Sequence, residues 1–272
     1  MSTETVATVG LGQVVTSSPA VSGPDAERRF GGLRRLWGEA AYARVRAARI
    51  AVVGVGGVGS WAAEALARSG VAALVLIDLD HVAESNINRQ VQALGSTLGA
   101  AKVQALRRRI ADIHPDCAVT PVEAFVEADN WPALLPGPVE VVLDACDQGQ
   151  AKLAMAQWAW LGGHPLVCAG AAGGKSAPQF VTVDDLALVT HDPLLAALRQ
   201  RLRKLGAPRT GLIGVRCVFS REPVAPPAAG DCAADGSLNC HGYGSCVTVT
   251  ASFGMVLAAQ ALEIVRCGRW GV

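Results

Sequence analysis

Arg49-Ile-Ala-Val-Val-Gly54-Val-Gly56-Gly57-Val-Gly59-Ser60 is the stretch that decides the fold. A continuous run rich in β-branched residues predicts a strand buried on both faces. It ends in glycine, and glycines at 54, 56 and 59 match a GxGxxG turn between a strand and a helix. Glycines there let the backbone approach a phosphate. The helix after the turn offers free N–H groups and the positive end of its dipole. That helix is expected over Ser60–Ser69, with Gly70 just past its end. A second strand is expected over Ala73–Asp78. Its last residue, Asp78, is an acid placed to accept hydrogen bonds from ribose hydroxyls.

The rhythm continues outward from that unit. Gly99–His114 reads as a helix, Ala118–Val122 as a strand, Val139–Asp144 as a strand, Gln150–Leu161 as a helix and Pro165–Ala169 as a strand. Strands alternating with helices predict an α/β, Rossmann-like fold. Its sheet is doubly wound and mainly parallel, with helices on both faces and a C-terminal extension. Three parts are expected: a flexible tail over 1–25, a nucleotide-binding region over 26–173, and a C-terminal part of the same domain over 174–272. In that last part, strands at Gln179–Val183 and Gly214–Ser220 flank a helix at Pro193–Leu205, and a long loop covers 221–244.

A chain of 272 residues that is 51% hydrophobic and 17% charged can bury a core and is not disordered. The N-terminus lacks a basic region leading into an apolar run, so a cytoplasmic protein is expected rather than a secreted one. Gly236–Leu262 carries no Lys, Arg, Asp or Glu. Its polar residues make Val247–Val265 a buried core helix in preference to a membrane span. None of the eight cysteines forms a CxxC pair, so no zinc site is expected.

The glycine turn and Asp78 alone would suit NAD or FAD. The segments C-terminal to them do not suit a dehydrogenase. Asp78-x-Asp80 leads into Ser85-Asn-Ile-Asn-Arg-Gln90, then Gly99-Ala-Ala-Lys102, then Leu143-Asp-Ala-Cys-Asp147. Arg89 and Lys102 are cations suited to clamping a triphosphate. Asp147, just beyond a strand end beside the phosphate turn, is suited to holding Mg²⁺. A nicotinamide site needs no such set, whereas an ATP site does. Asp144 and Asp80 remain open between a functional and a structural role.

Taken in order, GVGGVGSWAAEALARSG, IDLDHV, SNINRQ, GAAK and DACD resemble the ThiF, MoeB and HesA group of ubiquitin-activating-like adenylyltransferases. Within it, RFGGLRRLWG, GVRCVFS and the VTASFG segment resemble the tRNA threonylcarbamoyladenosine dehydratases. The resemblance covers about residues 28–267. It implies ATP-dependent cyclisation of the threonylcarbamoyl group on tRNA through adenylation of its carboxylate. It assigns Gly54, Gly56, Gly57 and Gly59 to the phosphate loop and Asp78 to the ribose. Asn86, Arg89 and Lys102 go to the phosphates and Asp147 to magnesium. It also implies a homodimer in which an arginine crosses to the partner's site; Arg29 is the first candidate, with Arg34 and Arg35 as alternatives. A monovalent cation and a cysteine desulfurase system protein are further implied partners.

Activation of a ubiquitin-like sulfur carrier is the alternative within the group, and the missing CxxC pairs disfavour it. Cys217, in GVRCVFS, invites a sulfur-relay reading, although its apolar neighbours suggest a buried strand residue. The net charge of +1 conceals segregation. Arg28–Arg49 holds seven arginines and one acid, Arg199–Arg221 holds six arginines and one lysine with no acid, and Asp112–Asp147 holds eight acids. The two basic blocks, with Arg199, Arg201 and Arg203 in the second, are expected to form a path for tRNA phosphates.

Overall fold

The computed structural model describes residues 25–225 and 243–268. The expected tail over 1–25, apart from Asp25, falls on residues 1–24, and most of the expected long loop on 226–242. Both lie outside the described residues.

Seven strands form one sheet in the order β3-β2-β1-β4-β5-β7-β6. They are β1 (Arg49–Val53), β2 (Ala73–Ile77), β3 (Ala118–Val122), β4 (Val141–Asp144), β5 (Leu166–Ala169), β6 (Val181–Asp185) and β7 (Arg216–Ser220). Every pair is parallel except β6 with β7 at one edge. The chain moves outward from β1 through β2 to β3, then returns to place β4 on the other side of β1. That reversal between β1 and β4 is the switch point at which doubly wound sheets open a crevice beyond their strand ends.

Alternation along each strand builds two cores. On one face Ile50, Val52, Leu74, Leu76 and Leu143 pack against α3 (Gly59–Arg68), α4 (Lys102–Ile113) and α7 (Val247–Cys267). On the other, Ala51, Val53, Val75, Ile77, Cys168 and Cys217 pack against α5 (Gly149–Gly162) and α6 (Pro193–Lys204). Two further helices, α1 (Ala26–Trp37) and α2 (Glu39–Ala47), precede β1. Asp25 caps α1 by accepting hydrogen bonds from the N–H groups of Glu27 and Arg28.

The sequence places each strand and the helices α3 to α7 within about three residues, the usual uncertainty of element ends; α1 and α2 carried no expectation. Two shifts have identifiable causes. Residues 178–180 form a 3₁₀ turn opened by Pro178, so β6 starts at Val181 instead of 179. Helix α4 begins at Lys102 because residues 95–101 form a separate 3₁₀ turn and bridge. That bridge pairs Ala101 with His81, and Gly99 sits at φ +78°.

Helix α7 is apolar and long enough to cross a membrane. In the fold its Phe253, Leu257 and Ala261 are fully buried against α3 and the sheet. Contact between α3 and α7 is close because Gly254 meets the Val58 carbonyl. A Cβ there would lie 2.5 Å from that oxygen and 2.7 Å from Trp61 Cβ.

Candidate active site

The switch point opens into a cleft of about 470 Å³. One wall is the turn after β1. Gly54 sits at φ +80°, where a side chain would be strained. A Cβ there would also press on the backbone of Ala145 and Cys146, at 2.8 Å from the Cys146 nitrogen. Gly56 is open towards the cleft, with only Gln90 Nε2 near its Cβ direction at 3.9 Å. Gly59 starts α3 and lies so tightly on the Gly54 carbonyl that a Cβ has no room. The three glycines thus do three different things: bend, open approach to the cleft and close helix packing. Gly57 also lines the cleft, with its Cβ direction facing Thr250 of α7 at 3.2 Å.

Asp78 lies just beyond β2 and is buried. One of its carboxylate oxygens accepts from the Val55 N–H at 2.8 Å and the other from the Asp80 N–H at 2.9 Å. Burial raises its pKa, opposed by the charge of Lys102 and by those two hydrogen bonds. Lys102 is itself buried, and its ammonium meets Asp80 Oδ2 at 2.7 Å. Asp80, ambiguous in the sequence, therefore works as the counter-ion that holds Lys102 at the cleft wall.

The segment 84–92 supplies the neighbouring wall. Asn86 is buried and its side-chain oxygen caps its own turn by accepting from the Ala83 N–H at 3.0 Å. Arg89 is nearly buried; its guanidinium donates to the Ser85 carbonyl at 2.6 Å and to Asn88 Oδ1 at 2.9 Å. Trp61 of α3 donates to the Arg89 carbonyl at 2.9 Å, fixing the segment against the helix. Across the crevice, Asp147 is exposed and lines the cleft just beyond β4. The fold thus brings Gly54, Gly56, Gly57, Asp78, Asn86, Arg89, Lys102 and Asp147 to one cleft, with Gly59 directly beneath the turn.

Arg29 lies elsewhere. Its guanidinium donates to the carbonyls of Asp112 and Ile113 at the end of α4, at 3.2 and 2.6 Å, and it does not line the cleft. Arg34 pairs with Glu27 and Glu39. Arg35 is exposed and carries no partner among the described residues.

Cys217 is the buried strand residue that its apolar neighbours suggest. This cysteine is fully buried in β7, facing the core, in register with Cys168 of β5. It does not line the cleft, so the relay loses its thiol. Cys146 does line the cleft. Burial pushes its thiol well up, reinforced by Asp144, whose Oδ1 accepts from the sulfur at 3.0 Å. It is therefore a protonated donor, not a thiolate. Asp144 is settled as structural: with Lys152 it forms an ion pair at 2.9 Å in which both side chains have 0% exposure.

Several lining residues gave no motif in the sequence. Phe125 and Val126 lie beyond β3, Gly170–Gly173 beyond β5, and Pro193, Leu194 and Ala197 belong to α6. The Asp-Pro pair at 192–193 was the available signal. Asp192 caps α6 by accepting from the Leu195 N–H at 3.0 Å, and it also accepts from the Ala171 N–H at 2.9 Å, tying α6 to the loop after β5. Among the described residues no three His, Cys, Asp or Glu side chains cluster as a metal cage.

The model of the ThiF family matches residues 31–269. The tRNA threonylcarbamoyladenosine dehydratase of Escherichia coli K12 is 43% identical over 248 residues, covering 87% of this chain and 92% of that protein. The Haemophilus influenzae protein of the same name is 35% identical and covers 87% of this chain and 93% of its own length. Among solved structures, the E. coli dehydratase in complex with ATP superposes with a TM-score of 0.81 at 40% identity, covering 89% of this chain and 95% of that one.

Proposed function

The chain belongs to the ThiF family, and from that premise we infer that it is an ATP-dependent tRNA threonylcarbamoyladenosine dehydratase. The relatives matched over nearly their whole length carry that name, not the name of a sulfur-carrier activator. The observation that carries the reading is the convergence of four segments distant in sequence on one cleft. They are the glycine turn, Asp78, residues 86–102 and Asp147.

A carboxylate is a poor acyl donor because hydroxide leaves badly. Adenylation at the α-phosphate of ATP releases pyrophosphate and turns the oxygen into part of a good leaving group, AMP. Attack by a nitrogen of the same threonylcarbamoyl group then closes the ring and expels AMP. The net change in the base is loss of one water. The protein's task is positioning and neutralising charge. Gly54, Gly56 and Gly57 leave their backbone open to phosphate at the start of α3. Asp78, already oriented by two backbone donors, has lone pairs left for ribose hydroxyls. Arg89 and Lys102, held by Ser85 and Asp80, present fixed positive charge to the triphosphate. The apolar wall of Ile77, Phe125 and Val126 suits an adenine ring. Asp147 fits Mg²⁺, an ion that takes one or two carboxylates and completes its shell with phosphate oxygens and water. Bound there, Mg²⁺ would neutralise phosphate charge.

The homodimer, with an α1 arginine reaching the partner's cleft, remains part of this proposal. Arg29 would have to release two carbonyls, whereas Arg35 is unengaged among the described residues. A monovalent cation and a cysteine desulfurase system protein rest on the family resemblance alone.

The test combines the protein with ATP, Mg²⁺ and tRNA bearing threonylcarbamoyladenosine, then weighs the nucleosides. Loss of one water from the modified base is expected. Folded Asp147→Ala should retain less than about 1% of that turnover. Pyrophosphate release that requires a small carrier protein, with no change in the base, would favour the carrier-activating reading. Near-normal turnover by Asp147→Ala would remove Asp147 from the site.

A further inference from the structure

Lys152 is the only charged residue in α5, and it has no exposed surface. Its ammonium meets Asp144 Oδ2 at 2.9 Å, and Asp144 is equally buried. Burial alone would lower the pKa of the lysine; the carboxylate beside it outweighs burial and raises it, so the lysine stays charged. Such a pair is weak evidence of a contribution to stability, because well-packed apolar residues often replace one at little cost. Its geometry gives it another use.

Asp144 is the last residue of β4, and its second oxygen faces the turn beyond the strand. Oδ1 accepts from the Cys146 N–H at 3.2 Å and from the Cys146 thiol at 3.0 Å. The Ala145 N–H donates to the Val53 carbonyl at the end of β1, at 2.8 Å. The same turn lies against Gly54, close enough that a Cβ on that glycine would be 2.8 Å from the Cys146 nitrogen. Asp147 is the next residue. Lys152 does not line the cleft, but its neighbour Ala151 does. The lysine therefore stands behind the turn and fixes the carboxylate on which the turn is built.

We propose that Lys152 is a positioning residue: through Asp144 it sets the turn at residues 145–147, and so places the Asp147 carboxylate opposite the glycine turn. The proposal rests on the cleft being an ATP site. A supporting group behind a metal-binding carboxylate is worth roughly 10- to 100-fold in metal affinity or activity.

Two double variants separate positioning from stability. Lys152→Met with Asp144→Leu removes both buried charges together, so the fold should survive with a Tm near that of the wild type. Its turn amides at 145–147 should exchange faster with deuterium. Its affinity for ATP with Mg²⁺, measured by calorimetry, should fall roughly tenfold or more, and its affinity for ATP with EDTA should not change. Lys152→Gln with Asp144→Asn keeps a hydrogen-bonded pair without charge, and should hold both the turn and the affinity close to wild type. Unchanged exchange at 145–147 in the Met/Leu variant would overturn the proposal, as would loosened exchange with undiminished affinity for ATP and Mg²⁺. Should the Met/Leu variant fail to fold, loss of affinity in a folded Gln/Asn variant with an ordered turn would overturn it instead. A wild-type protein that binds no ATP would sink the ATP reading. The exchange measurement would then decide alone whether Lys152 anchors the turn.

Discussion

Gly59 shows how much one residue can hold. Its Cα is the point at which α3 leans on the exit of β1, and a methyl group there would collide with the Gly54 carbonyl. Gly59→Ala should therefore push α3 away from the sheet, costing about 1–3 kcal/mol by overpacking. Thermal unfolding reads that cost. Calorimetry should also show a loss of ATP affinity of roughly tenfold or more, since the helix N-terminus and the turn move together. Wild-type Tm and affinity in the Gly59→Ala variant would mean that the turn adapts. The glycine roles were legible because a GxGxxG spacing between a strand and a helix has one mechanical reading. The acids were harder. Asp80, Asp144 and Asp147 look alike in the chain, yet Asp80 holds Lys102, Asp144 holds Lys152, and Asp147 faces the cleft. Lys152 lies eight residues after Asp144 on a helix, and no local pattern says that the two meet.

Among the elements, α7 is the clearest case of a choice made by its neighbours. Val247–Leu262 carries no charge, which suits a membrane or a core, and its polar residues favour the core. The fold decides by placing it between α3, α2 and the sheet. The small residue at Gly254 makes the crossing possible, and its Cβ direction points at the Val58 carbonyl and the Trp61 side chain. Gly254→Ala should thus destabilise the protein by about 1–3 kcal/mol, despite the better helix propensity of alanine. Chemical denaturation measures the sign: a gain of stability in the Gly254→Ala variant would show that the helices separate freely. Trp61 also holds the carbonyl of Arg89, so the same variant should weaken ATP binding as well.

Helix α6 shows the converse, a basic stretch whose members do different things. Arg199 donates to the carbonyls of Leu186 and Val189 at 3.0 and 2.8 Å, and Arg203 donates to that of Pro208 at 3.3 Å. Arg201 and Lys204 are exposed and carry no partner among the described residues. They continue the helical face on which Leu194 and Ala197 line the cleft. A block that reads as one tRNA path is thus part scaffold and part free charge.

At the scale of the whole molecule, the exposed charge on α6 gives the expectation for tRNA. Arg201→Glu with Lys204→Glu should weaken tRNA binding and reduce the salt dependence of its affinity by roughly one to two counterions. ATP affinity should stay unchanged, because neither residue lines the cleft. Filter binding across a salt series checks this, and an unchanged slope would move the tRNA surface elsewhere. Replacing Arg199 as well would confuse the result, since that side chain ties down backbone.

The sequence by itself determined the class of fold and singled out the motif-bearing residues that line the cleft. Alternation of buried strands with helices is a local property, set by side-chain period and turn chemistry. The phosphate turn, Asp78, Lys102 and Asp147 could be picked out because each stands at a recognisable strand end or helix start. Only the tertiary structure decided which charges are free. It put Arg29 on the end of α4, joined Lys152 to Asp144 and set α6 as one wall of the cleft. The reason is physical. Burial and pairing depend on which elements become neighbours, and the return of the chain from β3 to β4 makes neighbours of residues that no periodicity in the sequence connects.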